Sequence, residues 1–211
     1  MSLYGGDPMG KAPSLKIVKQ PQEFFYELLT SALSKQNLKV YPETELYLVN
    51  LLNQFMITEN LFVQDSEGHL KEEPLALLVK EALEEQTPHN QGLMFRKVGD
   101  ISLYMGGYFQ ESLQRKLVDL NYYVGLGEVA YTQVAARLEE EKMRAVYQEL
   151  AERFSKLVEV FAEVSDQTTP KTEKNLLLIY ERWHATGNQR AAKMLYEAGL
   201  LKPKNSKKQI Q

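Results

Sequence analysis

The chain contains no cysteine. Disulfides, thiolate catalysis and cysteine-held zinc or iron–sulfur centres are therefore excluded. Histidine is scarce, and only His69, His89 and His184 occur. A di-iron carboxylate bundle needs an E-x-x-H pair from each of two helices. Glu181 and His184 form one such pair in "YERWH", and neither other histidine follows a glutamate at that spacing. His184 is better placed as a partner for a helix C-terminus. No metal and no cofactor is expected.

Long apolar runs are missing as well. "LLLIY" at 176–180 is far too short to span a bilayer. The opening "MSLYGGDPMGKAPSLK" lacks the apolar stretch of a signal peptide. The expectation is a cytoplasmic protein with no membrane partner. An excess of one charge is also lacking, with 25 basic against 28 acidic residues and a net charge of −3. That leaves no broad basic field for nucleic acid, which is not expected as a partner. Catalytic signatures are absent in turn. No GK[ST] follows Gly5-Gly6 or Gly106-Gly107, and "GLGE" at 125–128 has no strand before it. No G-x-S-x-G occurs either.

What remains is a helical pattern. Of 211 residues, 44% are hydrophobic and 25% charged, enough for a sizeable core without staples. Pro21 opens a first helix carrying Phe24, Phe25, Leu28, Leu29 and Ala32, and Asn37 ends it. Pro42 opens a second, with Tyr47, Leu48, Leu51, Leu52, Phe55 and Met56 on one face. Thr58 caps a short helix carrying Leu61 and Phe62, and "DSEGH" at 65–69 is a turn. Further helices start near Pro74, at Thr87-Pro88 and after Asp119. One long amphipathic helix is predicted from Glu140 to Val164, with Met143, Tyr147, Leu150, Phe154, Leu157 and Phe161 as its seam. Two last helices, 171–186 and 189–198, flank Gly187 as a left-handed stop and Asn188 as a cap. Only "LKIV" at 15–18 and "LKVY" at 38–41 suggest strands, and weakly.

The expected architecture is all-α, a multi-helix bundle of about eight to ten helices. A flexible arm spans 1–20 and the bundle 21–164. A C-terminal helical hairpin, 165–202, packs on the bundle, and 203–211 form a disordered basic tail.

Two helices are apolar on both sides, which places them in the middle. In 88–108, Met94, Val98, Ile101, Met105 and Tyr108 oppose Phe95, Gly99, Leu103 and Gly106. Gly92, Gly99 and Gly106 recur every seven residues. Each costs about 1 kcal/mol of helix propensity, so the stripe serves either close backbone packing or a ligand groove. Asp100 lies on its flank beside Tyr104, four residues after Arg96, at ion-pair spacing. In 120–138, Tyr122, Tyr123, Leu126, Val129, Ala130 and Val134 oppose Glu128 and Tyr131. If the two helices pack together, Asp100, Arg96, Tyr104, Tyr122, Tyr123, Glu128 and Tyr131 line a candidate pocket. Its carboxylates serve either as a structural polar cluster or as acid–base groups.

The segment "GNQRAAKMLYEAGLLKP", 187–203, resembles the second helix of a tetratricopeptide repeat. Gly187, Ala192, Tyr196 and Leu200 fall at its small and aromatic positions, and Ile179 and Trp183 suit the preceding helix. Tyr180 stands where the repeat has glycine, Pro203 arrives one residue early, and only one copy is present. Tyr180, Trp183 and Tyr196 form a candidate interaction surface. The segments "YPETELYLVNLLNQF", 41–55, and "GDISLYMGGYFQESLQRKLVDLNYYVGLGEVAY", 99–131, resemble an uncharacterised family of bacterial helical proteins. That resemblance implies a bacterial, cytoplasmic, all-helical protein and carries no activity or site.

The leading expectation is a non-enzymatic helical interaction or scaffold protein with a protein partner or self-association. The alternative is a bundle that binds or transforms a small-molecule ligand between the 88–108 and 120–138 helices.

Overall fold

A computed structural model describes residues 20–55, 63–64, 70–71, 74–110, 119–168, 173–187 and 189–201. The fold is all-α. In chain order the helices are α1 (Pro21–Lys35), α2 (Pro42–Phe55), α3 (Leu75–Glu84), α4 (Pro88–Gly107), α5 (Leu120–Ala135), α6 (Glu141–Glu152), α7 (Phe154–Thr168), α8 (Glu173–Thr186) and α9 (Gln189–Glu197). None of the described helices is long and apolar enough to cross a membrane.

The helix boundaries follow local chemistry. Pro21 and Pro88 sit in the first turns of α1 and α4, where no N–H bond is lost. The Thr87 hydroxyl accepts the Asn90 N–H at 3.2 Å, and the Asp119 carboxylate accepts the Asn121 N–H at 3.0 Å. Asn37 ends α1 in the left-handed region at φ 50°. There Leu38 N–H bonds to Leu33 C=O at 3.0 Å and Asn37 N–H to Ser34 C=O at 3.1 Å, the paired bonds of a Schellman stop. Gly187, at φ 66°, ends α8 by donating to Trp183 C=O at 2.8 Å.

Three expectations are corrected. The predicted 140–164 helix is two helices, broken at Arg153, and the second runs on to Thr168. No proline or glycine marks the break. It coincides with the seating of the Phe154 ring against Gly127 and Tyr131. Residues 38–41 are not a strand but an irregular link into α2. The only described strands are Val63–Gln64 (β1) and Leu70–Lys71 (β2), an antiparallel pair. The 1–19 arm with its 15–18 segment, Met56, Thr58, Leu61, Phe62, the predicted 65–69 turn, Asn188 and the 203–211 tail lie outside the described residues.

α4 is central and packs against α5, α3, α7 and α2. α5 packs also on α6 and α7, and α1 on α2 and α7. The long seam is buried at Tyr147, Leu150, Phe154, Leu157 and Phe161, while Met143 is half-buried against it. A second, small cluster joins Ile179, Ala191, Met194 and Leu195 of α8 and α9. Arg190 of α9 reaches out to the Glu159 carboxylate of α7 and donates to Gln110 Oε1 at 3.0 Å.

Candidate functional site

The glycine stripe brings α4 and α5 together. A Cβ on Gly99 would lie 2.5 Å from the Tyr131 ring, so the ring occupies the space that the missing side chain leaves. At Gly106 the equivalent neighbour is Tyr123 Cβ at 3.3 Å. Gly92 faces open space, so the seven-residue period does not give all three glycines one role. Gly107, off the stripe, admits Phe161 of α7.

Seated this way, Tyr131 points its hydroxyl at Asp100. Asp100 is only 4% exposed. Its Oδ1 accepts the Tyr131 hydroxyl at 2.8 Å and, in a short bond, the Tyr47 hydroxyl of α2. Its Oδ2 lies 3.5 Å from Arg96 Nε, the expected i,i+4 ion pair. The Arg96 guanidinium also covers the Tyr47 ring, 5.4 Å from its centroid. Tyr147 of α6 closes the group, with ring centroids 5.4 Å from Tyr47 and 5.8 Å from Tyr131.

Charge and burial compete at Asp100. Burial raises its pKa from the ordinary 3.8, the Tyr47, Arg96 and Tyr131 donors pull it back, and it settles at about 6. Burial, with the Asp100 charge alongside, pushes the Tyr47 and Tyr131 hydroxyls well above the phenol range. Both stay protonated donors. Burial works against the Arg96 charge, but Tyr47, Tyr147 and Asp100 outweigh it and raise its pKa. The group is thus a buried carboxyl that takes up a proton near neutrality, held by three donors.

The predicted pocket residues part company here. Asp100, Arg96 and Tyr131 meet. Tyr104 turns away, with its hydroxyl 3.4 Å from Phe55 C=O and its ring stacked on Tyr108. Tyr123 is buried against Gly106, and Tyr122 is 41% exposed. Glu128 is half-buried and is not among the hydrogen-bond partners of Asp100. Tyr180 and Tyr196 are exposed on the α8–α9 hairpin, and Trp183 packs on its small core.

Two participants escaped the sequence reading. The helical pattern puts Tyr47 only on an apolar face, although a tyrosine there carries a hydroxyl that needs a buried partner. Glu149 sits between the seam residues Tyr147 and Leu150, and is buried. It accepts Tyr41 N–H, just ahead of α2, at 2.8 Å and pairs with Arg153 at 3.3 Å. The i,i+4 spacing to Arg153 was its one signal.

A shallow recess of about 470 Å³ lies where α5 turns into α6, lined in part by Thr132, Leu138, Arg144 and Gln148. Arg144 is engaged there by Leu138 and Glu139 carbonyls at 3.0 and 2.9 Å. Among the described residues no group of three Asp, Glu or His is placed to hold a metal ion. The chain matches no known protein family, no curated protein and no solved structure.

Proposed function

We propose that the protein is a non-enzymatic helical interaction protein that self-associates through the α8–α9 hairpin. One observation carries this reading. The hairpin buries Ile179, Ala191, Met194 and Leu195, yet leaves Leu177, Tyr180, Tyr196 and Leu200 exposed. Exposed apolar side chains grouped on one small unit are a contact surface in waiting. Helical hairpins of this size gain stability by stacking on another unit.

Sedimentation over a range of protein concentrations tests it. The wild-type chain should associate, and Leu177→Ser with Tyr196→Ser should shift it to monomer without moving the denaturation midpoint. A wild type that stays monomeric throughout overturns the reading.

The second reading, a small-molecule site, draws on the three donors converging on Asp100. The Tyr131 ring in the Gly99 gap takes up room that a ligand would need.

A further inference from the structure

We propose that the outer face of α5 is a second contact surface, which pairs in antiparallel register with the same face of a second copy of this chain, about a twofold axis at Val129. It rests on the hairpin reading in one respect. A face one helix wide is less than a stable interface needs, so it closes between chains that the hairpins have already gathered.

α5 is packed by α4, α6 and α7 on its other sides. Toward solvent it shows Tyr122 and Val129, 41% and 56% exposed, with the half-buried Leu126 between them. Gly125, Thr132, Gln133 and Ala136 complete this side, and none of these residues is charged. Thr132 and Gln133 are already engaged within the chain. The Thr132 hydroxyl donates to Glu128 C=O at 2.8 Å, and Gln133 Oε1 accepts from Arg137 at 2.6 Å. Such a face offers no hold to a phosphate backbone or to a charged peptide. It suits another apolar helix.

The order of the residues points to a second copy. Counted from Val129, the face steps out by three, four and seven residues in both directions. Antiparallel pairing about Val129 therefore lays layer on layer, and one patch serves both partners. The bulk is complementary in that register. Tyr122, the largest residue, meets Ala136. The gap at Gly125, where a Cβ would find nothing within 4 Å, shares a layer with Thr132 and Gln133 of the second copy. Parallel pairing would instead set Tyr122 on Tyr122 and gap on gap.

The ends of the helix agree with this register. Ala136 borders the recess of about 470 Å³ between α5 and α6, so the recess lies open where the Tyr122 ring of the second copy arrives. Its lining mixes Leu138 and Ala135 with Arg144 and Gln148, which matches a ring that ends in a hydroxyl. Asp119, just ahead of α5, and Arg137, just past it, fall near one another across the contact, with opposite charges.

The chain has no cysteine, so single introduced cysteines report the register directly. Val129→Cys in the full chain sits on the axis and should form a disulfide-linked dimer under mild oxidation. Lys80→Cys, exposed on α3, measures chance collision and should link far more slowly. The two copies of Gly125 lie about 12 Å apart along the axis and those of Thr132 about 9 Å, too far to bridge. Gly125→Cys and Thr132→Cys should each link poorly alone and readily when mixed, the mixed dimer being identified by its mass. Adding Leu177→Ser and Tyr196→Ser to Val129→Cys should slow the link by about tenfold or more. A link equally fast in that background leaves the α5 contact standing and removes the hairpin from it. The α5 contact is overturned if Val129→Cys links no faster than Lys80→Cys. It is overturned equally if Gly125→Cys links to itself as readily as to Thr132→Cys.

Discussion

The Tyr131 ring lies where a side chain on Gly99 would be. This one contact sets the approach of α5 to α4 and aims the hydroxyl that Asp100 accepts. Gly99→Ala adds a methyl 2.5 Å from a buried ring that cannot retreat without leaving Asp100. Overpacking of this kind costs about 1–3 kcal/mol, more than the roughly 1 kcal/mol gained in helix propensity. Denaturant unfolding should show a net loss.

Gly92 and Gly125 provide the contrast. Both lie within helices, and a Cβ at either meets nothing within 4 Å. Alanine there should stabilise the fold by up to about 1 kcal/mol. A loss of stability at Gly92 would mean that something occupies the open side of α4.

The same balance at Asp100 has a sign at the level of the whole fold. The folded-state pKa is raised from 3.8 to about 6. The contribution of this group is therefore complete below the lower value and is lost as pH rises through the higher one. The total is about 3 kcal/mol at most. Urea unfolding of the wild type and Asp100→Asn in parallel should give curves whose difference changes over this window and is flat above it.

Glu149 is the other buried carboxylate among the described residues, and it closes the start of α2. Tyr41 precedes Pro42, and a glutamate from α6 accepts its N–H. Glu149→Ala should destabilise the fold by about 1–3 kcal/mol. Glu149→Gln, which retains an acceptor oxygen, should cost less. Equal losses from the two variants would assign the effect to the Arg153 pair instead.

Among the described residues, the buried hydroxyl oxygens of Thr44 and Ser102 find no hydrogen-bond partner. Thr44→Val keeps the shape and removes the unmet group. It should leave the melting temperature unchanged or raise it.

The helix starts were legible because each is written in two or three adjacent residues. Pro21, Pro42, Thr87-Pro88 and Asp119 carry their own reason for being there. The Arg96–Asp100 pair was legible because four-residue spacing fixes it within one helix. The break at Arg153 was not, since no breaker occurs and only the fit of Phe154 against another helix accompanies it. Tyr47 and Glu149 were missed for the same reason. Their partners are 53 and 108 residues away in the chain, and wheel geometry says nothing about which helices meet. For Tyr104 the wheel gave the correct helix flank, but packing on Phe55 and Tyr108 turned the ring elsewhere.

The packing of α1 on α7 bears on how the chain is made. Lys35 pairs with Glu163 at 2.6 Å, across 128 residues of sequence. α1 is therefore synthesised well before α7, one of the two helices it packs on. Until α7 emerges, one of the two helices that α1 packs on is missing, and the entropy of closing so long a loop must be met before the pair forms. A nascent chain halted before Phe154 should hold α1 and α2 in a protease-sensitive state, and one halted after Thr168 should not.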